Sequence, residues 1–151
     1  MAKRATRKIK QQFLRTIVAG NWLGEIVGIG SVHFGQEVQD GPPRQSVEFS
    51  YVILSASVKR EGDDILWPAT IMLIAPTFMK TAECDAGYLH EVDGIPMVNM
   101  SLNVTRPQFS DMLSAFDRGL PKDFHFTLED GVDEVWPVRS WGMTAQTVNS
   151  C

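Results

Sequence analysis

The segment from Met97 to Glu129 constrains the fold more than any other, because three local patterns follow one another in it without a break. Val98, Met100, Leu102 and Val104 alternate with Asn99, Ser101 and Asn103, the period-two signature of a strand with one buried face. Thr105 ends that alternation and opens Thr105-Arg106-Pro107-Gln108, which fits a capping box with proline early in the first turn, where its missing N–H costs little. A helix over about 106–118 is expected. Phe109, Met112, Leu113 and Phe116 fall at i, i+3, i+4 and i+7, with Ser110, Asp111, Ser114 and Asp117 on the other side. Asp111 near the start and Arg118 at the end are expected to complement the helix dipole, Gly119 to give a left-handed cap, and Pro121 to prevent continuation. Phe124, Phe126 and Leu128 then alternate with His125, Thr127 and Glu129, so the chain returns as a strand whose aromatic face can meet the helix stripe.

The remainder reads mostly as strands. Phe13 to Phe34 is apolar but is punctuated by Gly20, Gly24, Gly28 and Gly30 and followed by Gly35, which favours one or two strands with bulges over a helix interior. Gln39 to Arg44 is a loop on its turn chemistry. Val47 to Val58 is apolar on both faces, so it is expected to be a central strand covered on two sides. Glu61-Gly62-Asp63-Asp64 closes a hairpin into a strand from Ile65 to Ala75, where Pro68 requires an edge or a bulge. Asp93-Gly94 and Asp130-Gly131 mark two further hairpins. Glu61 to Ala69 also aligns with Asp130 to Val138 at an offset of 69, sharing Gly, Asp and a Trp-Pro step; similar hairpin geometry is the expected reason, with duplication and chance as the alternatives.

Strands, then one helix, then strands imply an α+β fold: a mainly antiparallel sheet, or a partly open barrel or sandwich, of about six to eight strands with the helix packed on it. A chain of 151 residues can bury a sufficient core as one domain, assigned to 12–151, with 1–11 as a basic arm. No apolar run approaches the ~20 residues of a membrane-spanning helix. No apolar signal segment follows the basic start, and two cysteines, Cys84 and Cys151, form no disulfide framework, so a cytoplasmic protein without cofactor is expected.

Charge is distributed unevenly. Lys3, Arg4, Arg7, Lys8, Lys10 and Arg15 precede residue 16 without an acid among them, leaving 8 basic against 18 acidic residues, a balance of −10 for the rest. Lys3, Arg4, Arg7, Lys8 and Lys10 are the candidates for contact with nucleic-acid phosphate; an arm that is disordered or folds onto the acidic body is the competing expectation.

Recognisable catalytic motifs are missing from the sequence. His33, His90 and His125 lack short metal-ligand spacing, and Cys84-Asp85 with His90 is the nearest approach to a cluster, so no metal is expected. The pairs Asp63-Asp64 and Asp133-Glu134 adjoin turns, where acids are favoured for solvation. Four tryptophans on an acidic body point instead to binding, since Trp and Met are enriched at protein interfaces. Trp67, Trp136 and Trp141 are the candidate anchors, with Asp63, Asp64, Asp133 and Glu134 as their rim. The expected function is therefore that of a small non-enzymatic protein engaging a protein partner, in one form an acidic inhibitor or decoy for a nucleic-acid-binding protein of the phage anti-defence or immunity type. Homo-oligomerisation is compatible with this reading. Gly20-x-Trp22-x-Gly24 resembles the opening element of lipocalin-like and nitrobindin-like barrels, and that resemblance implies the alternative of a barrel-type carrier for a small apolar ligand. An enzyme with a dispersed site is the second alternative.

Overall fold

The computed structural model describes residues 19–75, 86–90, 97–118 and 121–145. Among these residues seven strands run in the order β1 (Gly20–Gln39), β2 (Gln45–Arg60), β3 (Trp67–Ala75), β4 (Gly87–His90), β5 (Val98–Asn103), β6 (Pro121–Leu128) and β7 (Val135–Ala145), with a helix, α1 (Arg106–Asp117), between β5 and β6. The sheet closes into a barrel of spatial order β1-β2-β3-β5-β4-β7-β6. Six pairings are antiparallel, including β1 with β6, and β3 pairs in parallel with β5. The expected α+β class with one helix holds among the described residues, and closure replaces the partly open sheet.

Alternation decides what lies inside. Val52, Leu54, Ala56 and Val58 of β2, Ala69, Ile71 and Leu73 of β3, Met100 and Leu102 of β5, and Phe124, Phe126 and Leu128 of β6 share one buried core with Trp22 and Leu89. A barrel of about this strand number has an interior just wide enough for side chains to fill, and here Trp22 stacks on Phe126 at 5.8 Å while Phe124 packs against Phe126 at 5.5 Å. Among the described residues no polar or charged side chain is buried. β2 is paired along both edges, by β1 and β3, but only one of its faces meets the core. Its other face, with Tyr51 and Ile53, is half-exposed, so the expectation that both faces are covered fails.

Helix α1 begins as its sequence dictates. The Thr105 hydroxyl accepts from the Gln108 N–H at 3.2 Å, and the Gln108 side-chain carbonyl accepts from the Thr105 N–H at 2.9 Å, completing the capping box. The dipole expectation fails: no acid lies in the first turn and no base in the last. Asp111 is too far along, Asp117 ends the helix, and Arg118 is only its C-cap; Gly119 lies outside the described residues. Met112 is buried, Phe109 and Phe116 pack half-buried on the core, and Leu113 is half-buried too. α1 touches β3 and β6, which stand on opposite sides of the barrel, so the helix lies across one mouth instead of along the outer wall.

β1 and β2 extend past that mouth. β1 pairs with β6 only as far as Glu25, and β2 pairs with β3 only from Ser50, so the distal parts of β1 and β2 continue as a two-stranded ribbon. Register shifts after Ile26 and after Ile29 mark bulges that bend the ribbon as it leaves the wall. An ion pair from Arg106 to Glu48 at 2.6 Å ties the start of α1 to this ribbon.

The Asp130-Gly131 hairpin expectation needs correction. The tight turn lies two residues on: Val132 and Val135 exchange backbone hydrogen bonds around Asp133 and Glu134, whose φ values of 52° and 61° are those of a primed turn. Gly131 packs instead against the Trp136 indole. The offset-69 repeat therefore shares an inward-facing tryptophan at or next to the start of a strand but not its turn geometry, since the first copy turns at Gly62 with φ of 93°. The Asp93-Gly94 hairpin and the division into a 1–11 arm and a 12–151 domain fall on residues outside the described ones.

Candidate functional site

The two ends of the barrel differ in chemistry. At the end away from α1, the β2–β3 turn carries Glu61, Asp63 and Asp64, and the β6–β7 turn carries Glu129, Asp130, Asp133 and Glu134. The start of β1 is hydrogen-bonded between these two turns, with Trp22 opposite Arg60 and Gly20 opposite Leu128. Asn21 links both sides, its backbone carbonyl accepting from the Glu61 N–H at 2.9 Å and its side-chain oxygen accepting from the Thr127 hydroxyl at 2.9 Å. Two turns remote in sequence thus form one acidic pole, with Asp64, Asp133 and Glu134 exposed and Asp63 half-exposed.

The tryptophan candidates do not stay with those acids. Trp67 is 6% exposed and belongs to the barrel interior, so it is unavailable as a surface anchor. Trp136 is half-buried, faces inward opposite Leu89 and is overlaid by Gly131. Trp141 lies at the other end, half-buried beside α1, about 20 Å along β7 from Val135 at the usual rise per residue. The expected constellation of three anchors within an acidic rim is therefore divided between the two ends.

Around Trp141 the structure assembles a groove that sequence reasoning missed. Its volume is about 510 Å³; Ala86, Met112, Ala115, Trp141 and Met143 form its apolar lining, and Gln108, Asp111, Ser140 and Gly142 complete it. Met112 and Ala115 come from α1, while Trp141 and Met143 point inward on β7, opposite Phe126 and Phe124. β7 runs on to Ala145, which sets Trp141 and Met143 beside Met112 and Ala115 of the helix. Its signal in the sequence was the pair Trp141 and Met143 at strand spacing, but their helix partners are 26 or more residues away and the pairing cannot be read locally.

On the opposite flank of α1, Leu113 and Phe116 with Ile29 and Val32 of β1 line a second groove of about 380 Å³. The histidines are dispersed: His33 stacks on Tyr51 at 4.9 Å and Phe49 at 5.5 Å on the outer ribbon face, His90 is half-buried on β4, and His125 overlies Gly142. Among the described residues no group of three or more His, Cys, Asp or Glu side chains is placed to hold a metal. Lys3, Arg4, Arg7, Lys8 and Lys10, like Cys84 and Asp85, lie outside the described residues. No helix of the described residues is long and apolar enough to cross a membrane.

Fold and surface together define a closed seven-stranded barrel with a filled interior, a helix across one mouth, an apolar groove beside it and an acidic pole opposite. The chain matches no protein-family model, no curated protein and no solved structure.

Proposed function

We propose that this is a non-enzymatic binding protein that takes an apolar segment of a protein partner into the groove between α1 and β7. The groove carries the reading: an aromatic and two methionines at its centre, with Gln108, Asp111 and Ser140 beside them, have the composition of an interface core within a polar rim. Methionine adds adaptability, because its flexible thioether repacks around differing side chains. The balance of −10 outside the first 15 residues favours a partner with basic flanks. In its finer form the partner is a nucleic-acid-binding protein whose basic surface the acidic pole occupies.

A small apolar ligand is the second reading, favoured by the groove's volume, which falls within the 300–1,000 Å³ usual for such sites. Its location outside a side-chain-filled barrel differs from the deep cavity implied by the lipocalin-like resemblance. A photo-crosslinking residue at Ser140, tested in the native cell against the same residue at Ser55 on the exposed outer face of β2, separates the readings. A protein adduct specific to position 140 and lost with Trp141→Ala supports the partner. A small molecule that copurifies and is displaced by the same substitution supports the carrier. Equal adducts at both positions, with nothing copurifying, would remove the groove from either role.

A further inference from the structure

We propose that the open edge of β1 takes an extended segment of a partner protein as an added β-strand, seated in the slot between that edge and α1. The slot lies on the flank of α1 opposite the β7 groove, and its assignment does not rest on the function given to that groove. Past Glu25, β1 keeps β2 on one side, and among the described residues no strand pairs with its other side as far as Gln39. Bulges after Ile26 and Ile29 interrupt the first part of this edge, but Ser31 to Gln39 pairs with β2 residue for residue, a regular edge about 30 Å long. Alternate residues of an antiparallel strand turn both N–H and C=O to one side, so about four of them here direct theirs away from β2. Gly35 apart, every residue from Val27 to Gln39 is exposed. Folded proteins usually blunt such an edge with lysine, proline or a bulge. Ser31 to Gln39 has no lysine, no proline and no register shift. Donors and acceptors alternating at strand spacing are matched by another polypeptide backbone, which decides the class of occupant.

The slot adds selectivity for side chains. α1 runs back along β1: its start is held at the level of Gln36 by the Arg106–Glu48 pair, Glu48 standing opposite Gln36, and its last turn reaches Ile29 and Val32. Ser110, Leu113, Ser114 and Asp117, at i, i+3, i+4 and i+7, share one flank of the helix. A hollow of about 380 Å³ lies between that flank and Ile29 and Val32. The bulge after Ile29 keeps Ile29 and Val32 on one face despite their odd spacing, with Phe34 next in line; the three are 45%, 42% and 77% exposed. A strand added to this edge directs every second side chain to that face. Apolar residues at those positions continue the row, and the one beside Val32 enters the hollow.

Charge narrows the occupant further. Glu37 is the one charged residue between Ile26 and Gln39, and Asp117 is the one on the slot wall. Both are acidic, so the fitting segment carries Lys or Arg beside its apolar positions, where opposite charges pair across strands. A second copy's β1 does not meet this requirement, since the charge it would bring to the edge is again Glu37.

Amide-resolved hydrogen exchange of the full chain, alone and with peptides selected on it from a random library, tests this. In the free chain alternate amides from Ser31 to Gln39 should exchange fast, and those bonded to β2 slowly. Selected peptides should alternate apolar residues, carry Lys or Arg, and slow the fast set when bound. Methylating alternate backbone nitrogens of such a peptide in one phase should weaken binding by about 100-fold, because those N–H groups face β1, and in the other phase by less than about 3-fold. Ser114→Arg, on the exposed slot wall, should weaken binding by about 10-fold or more with an unchanged circular dichroism spectrum, since it both fills the slot and repels a basic segment. Leu66→Glu, an exposed residue at the acidic end, should not change it. Slow exchange along the whole edge of the free chain would mean that this chain or a second copy already covers it, and overturns the proposal. A library yielding no peptide that protects the edge overturns it as well, as does methylation that acts equally in both phases. None of these results bears on the crosslink at position 140, so the two assignments fail separately.

Discussion

At the scale of single residues, backbone constraints are sharper than side-chain ones. A Cβ on Gly24 would lie 2.1 Å from the Ser57 carbonyl oxygen across the β1–β2 pair, so the strands can approach only because that position has no side chain. Gly24→Ala should cost about 2–3 kcal/mol, in the range of substitutions that force backbone shifts. Gly28→Ala, with nothing within 4 Å, should stay within about 0.5 kcal/mol. Denaturant midpoints of the two variants are compared directly, and equal losses would contradict this account of the β1–β2 approach. Asp133 and Glu134 present the opposite case, because non-glycine residues occupy left-handed conformations there. Replacing the pair by Asn-Gly, the favoured sequence for a primed turn, should raise stability by about 1 kcal/mol. The variant Asp133→Asn, Glu134→Gln removes the same charges without relieving the backbone, and stabilisation of equal size there would assign the gain to charge repulsion.

At the scale of elements, α1 shows what a sequence can disclose. The capping box, proline and apolar stripe are local, each spanning no more than about two turns, and the helix starts at Arg106 as they require. Thr105→Ala should therefore cost about 1 kcal/mol through loss of the cap, whereas Phe116→Asp should unfold the helix from the mouth, because Phe116 packs on the core. A Phe116→Asp protein that melts like the wild type would mean that the helix is dispensable to the barrel. The elements that were illegible depend on distant partners. Strands β3 and β5 pair in parallel, and nothing in either sequence marks this as the exception within the mainly antiparallel sheet expected. β1 bonds to β6 through Trp22 opposite Phe126, residues 104 apart. The Val132–Val135 turn was missed for the opposite reason, since the Asp130-Gly131 dipeptide is a stronger local signal than the Asp133-Glu134 pair that makes the turn. Val47 to Val58 is apolar on both faces, yet only one face of β2 meets the core and the other is half-exposed, because apolar composition alone does not show which face another element will cover.

At the scale of the whole molecule, separating the acidic pole from Trp141 changes what each can do. In a single ringed anchor, steering and anchoring would be one event. Here Glu61, Asp63, Asp64, Glu129, Asp130, Asp133 and Glu134 lie at one end, and Trp141 lies beside the helix at the other. Screening confines surface fields to about 8 Å at physiological ionic strength, so the pole acts on the approach of a basic partner and hardly at all on what sits in the groove. The two contributions should separate in kinetics measured with the partner identified at position 140. Neutralising Asp63, Asp64, Asp133 and Glu134 to their amides should slow association several-fold at about 50 mM salt, with the difference vanishing at about 500 mM, and should leave dissociation unchanged. Trp141→Ala should speed dissociation by about 10- to 100-fold with little effect on association, as expected for truncation of an interface anchor. Trp67→Ala serves as the contrast: its indole is core, so it should lower the melting temperature before it changes either rate in molecules that remain folded. Association that is independent of salt would refute steering by the pole, and an unchanged dissociation rate in folded Trp141→Ala protein would remove the groove as the anchor.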